Sequence, residues 1–156
     1  MKKLVILGAG TAGTMAANKL RPQLPKDEWS ITIIDQHQTH YYQPGYLFIP
    51  FGIYRPDEVT KPTKRFILTG VDLVTGAIHK VVAEENKVLL EDGQEFLYDY
   101  LIIATGTTPR PDETPGMADD LGGSVHEFYT FEGATALAEK LRTWEGGRLV
   151  VHVSEM

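Results

Sequence analysis

The sequence predicts an α/β fold: a parallel sheet with a crossover helix, accompanied by an antiparallel β-meander. Two apolar runs, KLVIL at 3–7 and SITII at 30–34, flank a stretch of helix-forming residues. A third run, LIIA at 101–104, comes late in the chain and leads directly into Thr-Gly. Short runs that are apolar throughout are typical of strands buried on both faces, as in parallel sheets.

The elements after the first strand follow from helix and turn residues. A helix is expected over 14–20, and Pro22 ends it because proline cannot continue a helix. Residues 36–62 form an irregular segment rich in Tyr and Phe, which either lines a ligand or forms a small separate core. A short helix is expected over 63–68, where Gly70 would stop it.

The middle of the chain predicts a meander. Strands are expected at 71–74, 78–83 and 87–91, separated by polar breaks. Asp92-Gly93 is a dipeptide favoured in hairpin turns, so the chain should reverse there. The predicted meander therefore runs from 71 to 96 and leads into the strand at 101–104.

One more helix and one more strand are expected near the end of the chain. Thr130 is a suitable N-cap for a helix over 131–144, because its side-chain oxygen can accept a hydrogen bond from the first turn. The apolar run RLVVHV at 148–153 predicts a last strand.

Composition excludes several classes of function. The net charge of −6 gives no electrostatic reason to expect nucleic-acid binding. The sequence has no apolar run long enough to span a bilayer and its start does not resemble a signal peptide, so we expect a cytoplasmic location. It contains no cysteine, which excludes thiol chemistry within these residues. His37 and His40 have a spacing that metals can use, but no cluster completes a site and we predict no metal.

The turn after the first strand carries the pattern of a phosphate-binding site. Gly8, Gly10 and Gly13 form a GxGxxG string between a predicted strand and a predicted helix. Gly8 permits the tight turn, Gly10 lets a pyrophosphate approach the backbone, and Gly13 lets the helix pack closely. Asp35 follows about 20 residues later at the end of the next strand, where a carboxylate binds an adenosine ribose and repels a 2′-phosphate. The pattern predicts a Rossmann-like site for FAD or NAD rather than NADP.

The order of motifs along the chain resembles one superfamily. The GxGxxG string, the acidic residue, the meander, Asp92-Gly93 and a strand ending in Ala-Thr-Gly at 104–106 resemble the FAD domain of FAD-dependent pyridine nucleotide-disulfide oxidoreductases. Within it, the chain is most similar to the N-terminal part of the sulfide:quinone oxidoreductases. That similarity rests on VILGAGTAG at 5–13, the loop around Tyr41-Tyr42-Gln43-Pro44, and residues 98–106.

The resemblance implies FAD as the cofactor and implies where FAD is bound. In the sulfide:quinone family, electrons pass from sulfide through a cysteine pair and FAD to a membrane quinone. Sulfide and quinone are therefore the implied partners of the full-length parent, and no catalytic residue is implied in this chain. The implied FAD contacts are Gly8, Ala9, Gly10, Thr11, Ala12, Gly13, Asp35, Gln36, Gln43, Ala77, Ile78, Thr105 and Gly106.

The same resemblance implies an incomplete domain that is inactive alone. Residues 1–145 would be the N-terminal segment of a discontinuous FAD-binding domain, and 146–156 the start of the next domain. Many relatives carry a cysteine where Phe128-Tyr129 stands, so a redox pair would lie beyond Met156. A missing partner strand would leave an apolar sheet edge, through which a homo-oligomer could form. Peripheral contact with the cytoplasmic membrane would come only from the C-terminal part of the parent.

Two alternatives stay open. The strand at 148–153 is followed by Ser154-Glu155-Met156 rather than by a second GxGxxG string, which favours sulfide over NADH as the donor. A flavin-dependent NADH:quinone or ferredoxin reductase would require a nicotinamide site downstream. A non-catalytic nucleotide-binding module would keep the fold and lack both the cysteine pair and the second glycine string.

Overall fold

The computed structural model describes residues 1–152 and contains two compact units. The first unit comprises Met1–Tyr42 and Asp57–Arg110. The second comprises Gln43–Pro56 and the chain from Pro111 onward. The domain boundary expected between residues 145 and 146 stays a prediction.

The first unit combines a parallel sheet, a helix and two small antiparallel sheets. Helix α1 spans Thr11–Leu20, so it begins inside the Gly-rich motif rather than at Thr14 as predicted. The strands in chain order are β1 (Lys2–Leu7), β2 (Trp29–Asp35), β3 (Thr39–Tyr41), β4 (Thr60–Pro62), β5 (Asp72–Thr75), β6 (Ile78–Val82), β7 (Lys87–Leu90), β8 (Glu95–Leu97) and β9 (Tyr100–Ile103).

The parallel sheet has the strand order β5-β2-β1-β9. In the middle strand β1, Leu4 pairs with Ile31 of β2 on one side and with Tyr100 of β9 on the other. Asp99 aligns β9 with β1, because its side chain accepts the Lys3 N–H at 2.6 Å and its own N–H donates to the Lys3 carbonyl at 2.9 Å. The carboxyl ends of the strands therefore share one edge, which is where open α/β sheets bind ligands.

The two central strands, β1 and β2, are buried on both faces, as their apolar sequences predict. The prediction is wrong for the edge strand β9, in which Tyr100 and Ile103 are exposed because no strand among the described residues covers its outer side. Ile6 packs in one hydrophobic cluster with Ala17 of α1, and Leu7 packs in another with Val88 of β7. Burial of an aliphatic side chain of this size contributes about 1.5–3 kcal/mol. The sheet therefore lies between α1, which packs on one face, and the meander, which packs on the other.

The meander consists of β6, β7 and β8. Its β7–β8 hairpin turns at Asp92-Gly93 as predicted, with Gly93 at a φ of 86°. The prediction that the meander begins at 71–74 is wrong. Strand β5 instead joins the parallel sheet, where Asp72 pairs with Thr32 of β2. A short apolar run looks the same beside a parallel or an antiparallel neighbour, so the local pattern does not identify its partner.

The segment predicted to be irregular contains a small sheet. Strands β3 and β4 pair in antiparallel fashion, with His40 opposite Lys61. Pro62 ends β4, and a 3₁₀ helix over Thr63–Phe66 follows in place of the helix expected over 63–68. The chain therefore leaves β2 through the antiparallel pair β3 and β4, which a long connection joins, before it returns to the parallel sheet at β5.

The second unit contains helix α2, Phe131–Thr143, and a 3₁₀ helix over Gln43–Phe48. The Tyr46 and Phe131 rings pack against each other with centroids 6.0 Å apart. Thr130 caps α2 as predicted, because its hydroxyl oxygen accepts the Gly133 N–H at 2.9 Å.

The last predicted strand, at 148–153, is wrong for the residues that the structure describes. Residues 148–152 form no strand, and Val153 lies outside the described residues. The side chains of Leu149, Val150 and Val151 are exposed. A strand needs a neighbour for its backbone hydrogen bonds, and an apolar run alone does not supply one. Within residues 1–152, no helix is both long and apolar enough to cross a membrane.

Candidate functional site

The Gly-rich turn joins β1 to α1 at the carboxyl edge of the sheet. Gly8 has a φ of 94°, and a Cβ there would lie 2.7 Å from the carbonyl carbon of Ala104. A Cβ on Gly13 would lie 3.0 Å from the carbonyl carbon of Gly8 and would overlap its oxygen. These two glycines are therefore required because backbone packs directly on backbone.

Gly10, unlike Gly8 and Gly13, has open space around it. Nothing lies within 4 Å of the position that its Cβ would take. The first helical hydrogen bond runs from Thr14 N–H to the Gly10 carbonyl at 3.0 Å. The N–H groups of Thr11, Ala12 and Gly13 precede that bond and have no acceptor within the helix. Aligned peptide dipoles give this end about half a positive charge, so the open side at Gly10 is suited to an anion.

Asp35 ties the turn to the loop after β2. Its Oδ2 accepts the Ala9 N–H at 2.6 Å, and its Oδ1 accepts the His37 N–H at 2.7 Å. Its backbone carbonyl accepts the Gly76 N–H at 2.9 Å, which connects the end of β2 to the loop after β5. A carboxylate has about four acceptor positions, so further hydrogen bonds from ligand hydroxyls remain available.

A cleft of about 270 Å³ opens at this edge of the first unit. Its lining comes from the turn after β1, the end of β2 and its following loop, the start of β6, and the residues after β9. The structure therefore brings five of the predicted contacts into one cleft. The lining residues are Gly8, Ile34, Asp35, Gln36, His37, Ile78 and Thr105.

The other predicted contacts lie as follows. Ala77 precedes Ile78, and its carbonyl accepts the Glu91 N–H at 2.9 Å. Gly106 follows Thr105 with a φ of 78°, a conformation that favours glycine, and nothing lies within 4 Å of its Cβ position. Gln43 belongs to the second unit, where it begins the 3₁₀ helix, and its contact with FAD stays a prediction.

Sequence reasoning missed three residues of this region. Ile34 and His37 line the cleft, and their adjacency to Asp35 and Gln36 was the signal that could have found them. The sequence indicates His40 only as a metal candidate, whereas its Nδ1 lies 3.1 Å from the Ala9 carbonyl oxygen. No local pattern predicts that contact. Across residues 1–152, no group of three or more His, Cys, Asp or Glu residues could hold a metal ion.

Several proteins of known activity are similar to this chain. The chain is 31% identical over 150 residues to the mitochondrial sulfide:quinone oxidoreductase of Dictyostelium discoideum, which covers 96% of this chain and 33% of that protein. It is 29% identical over 119 residues to the type II NADH:quinone oxidoreductase of Staphylococcus haemolyticus, which covers 76% of this chain and 29% of that protein. The crystal structure of the sulfide:quinone oxidoreductase of Aquifex aeolicus matches with a TM-score of 0.78 at 23% identity, over 91% of this chain and 32% of that one. The chain thus spans about a third of the length of these relatives.

The geometry of the turn fits the cofactor of these relatives. Gly10 leaves the space that a pyrophosphate needs, and Asp35 has acceptor positions for ribose hydroxyls. The α/β fold with a parallel sheet and an antiparallel meander is confirmed. Residues 2–151 match the family described as pyridine nucleotide-disulphide oxidoreductase. The chain belongs to this family of FAD-dependent oxidoreductases.

Proposed function

We propose that this chain supplies the FAD-binding part of an oxidoreductase that takes electrons from sulfide and passes them to quinone. The observation that carries the proposal is the cleft in which the Gly-rich turn and Asp35 meet. The relative from Dictyostelium discoideum, which aligns with 96% of the chain, supports sulfide and quinone as the donor and acceptor.

The Gly-rich turn would hold the pyrophosphate of FAD. Because Gly10 has no side chain and its surroundings are open, phosphate oxygens can reach the backbone there. The first-turn N–H groups of Thr11, Ala12 and Gly13 can then donate to those oxygens, and the helix dipole favours their negative charge. The Ala9 N–H already donates to Asp35, so Ala9 helps to shape the turn rather than donating to the phosphates.

Asp35 would bind the adenosine ribose. Its oxygens accept backbone N–H groups from both sides and retain acceptor positions for the 2′- and 3′-hydroxyls. A 2′-phosphate would place two negative charges close together, which disfavours NADP. The same carboxylate therefore both shapes the turn and selects the nucleotide.

The remaining predicted contacts would surround the rest of the cofactor. Gln36, which follows β2, and Ile78, which begins β6, line the same cleft as Asp35. Thr105 and Gly106 follow β9, where a backbone without bulky side chains lets a ligand lie close. Ala77 and Gln43 are the last two proposed FAD contacts, and both rest on the resemblance to the family.

FAD supplies transfer of an electron pair between a donor and an acceptor. Residues of this chain bind and orient it, and they contain no thiol that could attack sulfur. A cysteine pair for sulfide oxidation would therefore come from outside these residues.

The test adds sulfide and NADH separately, without oxygen, to the FAD-loaded protein that contains this chain. We expect sulfide to bleach the visible absorbance of the oxidised flavin, NADH to leave it unchanged, and a soluble quinone to restore it. The matched control is free FAD under the same conditions, which measures any direct reduction by sulfide.

The second candidate is an NADH:quinone oxidoreductase, which the relative from Staphylococcus haemolyticus supports. Bleaching by NADH alone would overturn the sulfide proposal in its favour. A protein that retains FAD and responds to neither donor would instead be a non-catalytic nucleotide-binding module.

A further inference from the structure

His40 holds the peptide that follows Ala9. Its Nδ1 lies 3.1 Å from the Ala9 carbonyl oxygen. A carbonyl oxygen only accepts hydrogen bonds, so Nδ1 must carry the proton and donate. The N–H of Ala9 in turn donates to Asp35. Two side chains from different segments therefore hold Ala9 at both its N–H and its C=O.

The contact with His40 sets the direction of the next N–H group. No peptide bond among the described residues is cis, so the Ala9–Gly10 peptide is trans and planar. In such a peptide the C=O of Ala9 and the N–H of Gly10 point to opposite sides. Because the Ala9 carbonyl points toward His40, the Gly10 N–H points away from His40. Gly10 is also the residue of this turn at which the backbone is open.

The His40 ring is held in place by a chain of contacts. The Phe66 ring packs against it with centroids 4.6 Å apart. Asn18 of α1 fixes the backbone around Phe66, since its Nδ2 donates to the Phe66 carbonyl at 2.6 Å and its Oδ1 accepts the Leu68 N–H at 3.1 Å. The helix that begins at the Gly-rich turn therefore supports, through Phe66, the ring that orients the turn.

We propose that His40 is a positioning residue for phosphate binding, which presents the Gly10 N–H to the pyrophosphate of an adenosine diphosphate group. It acts through the Ala9–Gly10 peptide and does not touch the ligand. This inference rests on the proposed FAD site and adds a residue to it that neither the glycine string nor Asp35 predicts.

A purely structural role for His40 predicts a different result. A contact that only stabilises the fold would affect ADP and adenosine binding alike, because the two ligands share the ribose and adenine. A contact that orients a phosphate donor affects ADP alone. The comparison of these two ligands therefore separates the two roles.

The experiment measures dissociation constants for ADP and for adenosine with the flavin-free form of the protein that contains this chain, as wild type and as three variants. We expect His40→Ala to weaken ADP binding about tenfold, the scale of one hydrogen bond to a charged group, and to leave adenosine binding unchanged. His40→Asn should restore most of the ADP affinity, since its amide places a donor near the position of Nδ1. His79→Ala is the matched control, because His79 is exposed on β6.

Four results would overturn the inference. Unchanged ADP affinity in His40→Ala would remove any role, and equal loss of ADP and adenosine binding would leave only a structural one. Flavin-free wild-type protein that binds no ADP would overturn the proposed FAD site, and this inference with it. If His40→Ala does not fold, the histidine nitrogen shifts of the wild-type protein decide: we expect the neutral ring to carry its proton on Nδ1, and a proton on Nε2 alone contradicts the contact.

Discussion

Asp35 Oδ2 accepts the Ala9 N–H at 2.6 Å, which joins the last residue of β2 to the turn after β1. The two strands are parallel neighbours that pair Leu7 with Ile34, so the residues just beyond them fall side by side. The carboxylate is thus part of the backbone structure of the turn as well as of the cleft. Substitutions at Asp35 must therefore be designed to separate these two roles.

Asp35→Asn is expected to lower ADP affinity about tenfold while the chain remains folded. Asn keeps one oxygen, which can accept the Ala9 N–H, but its amide nitrogen cannot accept the His37 N–H. Asn also loses the charge that strengthens hydrogen bonds to ribose hydroxyls. Asp35→Ala also removes the acceptor and should lower the free energy of unfolding by about 1–3 kcal/mol. Ligand titration and urea unfolding measure the two effects. Wild-type ADP affinity in Asp35→Asn would exclude the ribose role.

Gly10→Ala is expected to lose ADP binding, whereas Gly13→Ala is expected to lose stability. A Cβ on Gly10 meets nothing within 4 Å, but Ala is a poorer N-cap than Gly, so Gly10→Ala should change the free energy of unfolding by less than about 1 kcal/mol. It should lose ADP affinity because the methyl group blocks the phosphate. A Cβ on Gly13 overlaps the Gly8 carbonyl, so Gly13→Ala should cost about 1–3 kcal/mol or more.

Thermal unfolding with and without ADP measures both glycine variants, and each serves as the control for the other. Gly10→Ala with wild-type ADP affinity would contradict a phosphate site at this turn. Gly13→Ala with wild-type stability would contradict the close packing of α1 on the turn.

The pKa of Asp92 is lowered from its ordinary value, first because the Gln94 backbone N–H donates to it at 3.0 Å, and second because the Gln94 side chain donates at 2.6 Å. Gln94→Ala removes only the second bond, so the pKa of Asp92 should rise yet stay below its ordinary value. Because the folded pKa lies below the unfolded one, the hairpin gains stability above the unfolded pKa and loses it as the pH falls through the folded pKa. Carboxyl NMR titration measures this shift, and an ordinary pKa in the variant would show that the backbone bond is not the main cause.

Thr130→Ala should destabilise α2 by about 1 kcal/mol, the usual effect of losing an N-cap side chain. It removes the acceptor of the Gly133 N–H and the hydroxyl that donates to Glu127 at 2.5 Å. Thr130→Ser keeps the hydroxyl and should behave like the wild type. Urea unfolding followed by helical circular dichroism compares the three, and an equal loss in both variants would assign the effect to the methyl group.

The sequence predicted those features whose cause is local. Strands buried on both faces are apolar throughout, and the Thr130 cap depends on residues within one helical turn. The Gly-rich turn and Asp35 were found together because the βαβ unit fixes their spacing. These features were enough to predict three strands of the parallel sheet, helices α1 and α2, and five of the seven residues that line the cleft.

The features that the sequence did not predict depend on pairing between distant segments. The sheet that β5 joins is decided by its pairing with β2, which lies far away in the chain. The contact between His40 and Ala9 requires β3 to fold back over the turn. The apolar run at 148–152 has the composition of a strand, but within the described residues it forms none.

Gly8 brings three chain segments to one point: the end of β1, Ala104 after β9, and Gly13 in α1. A nucleotide bound at this point would stabilise the folded chain, because the sheet could unfold only after the nucleotide is released. At about 100 times its dissociation constant, such a ligand adds about 2.7 kcal/mol to the free energy of unfolding. Since proteases remove the unfolded fraction, the abundance of the chain in a cell would then follow the supply of flavin.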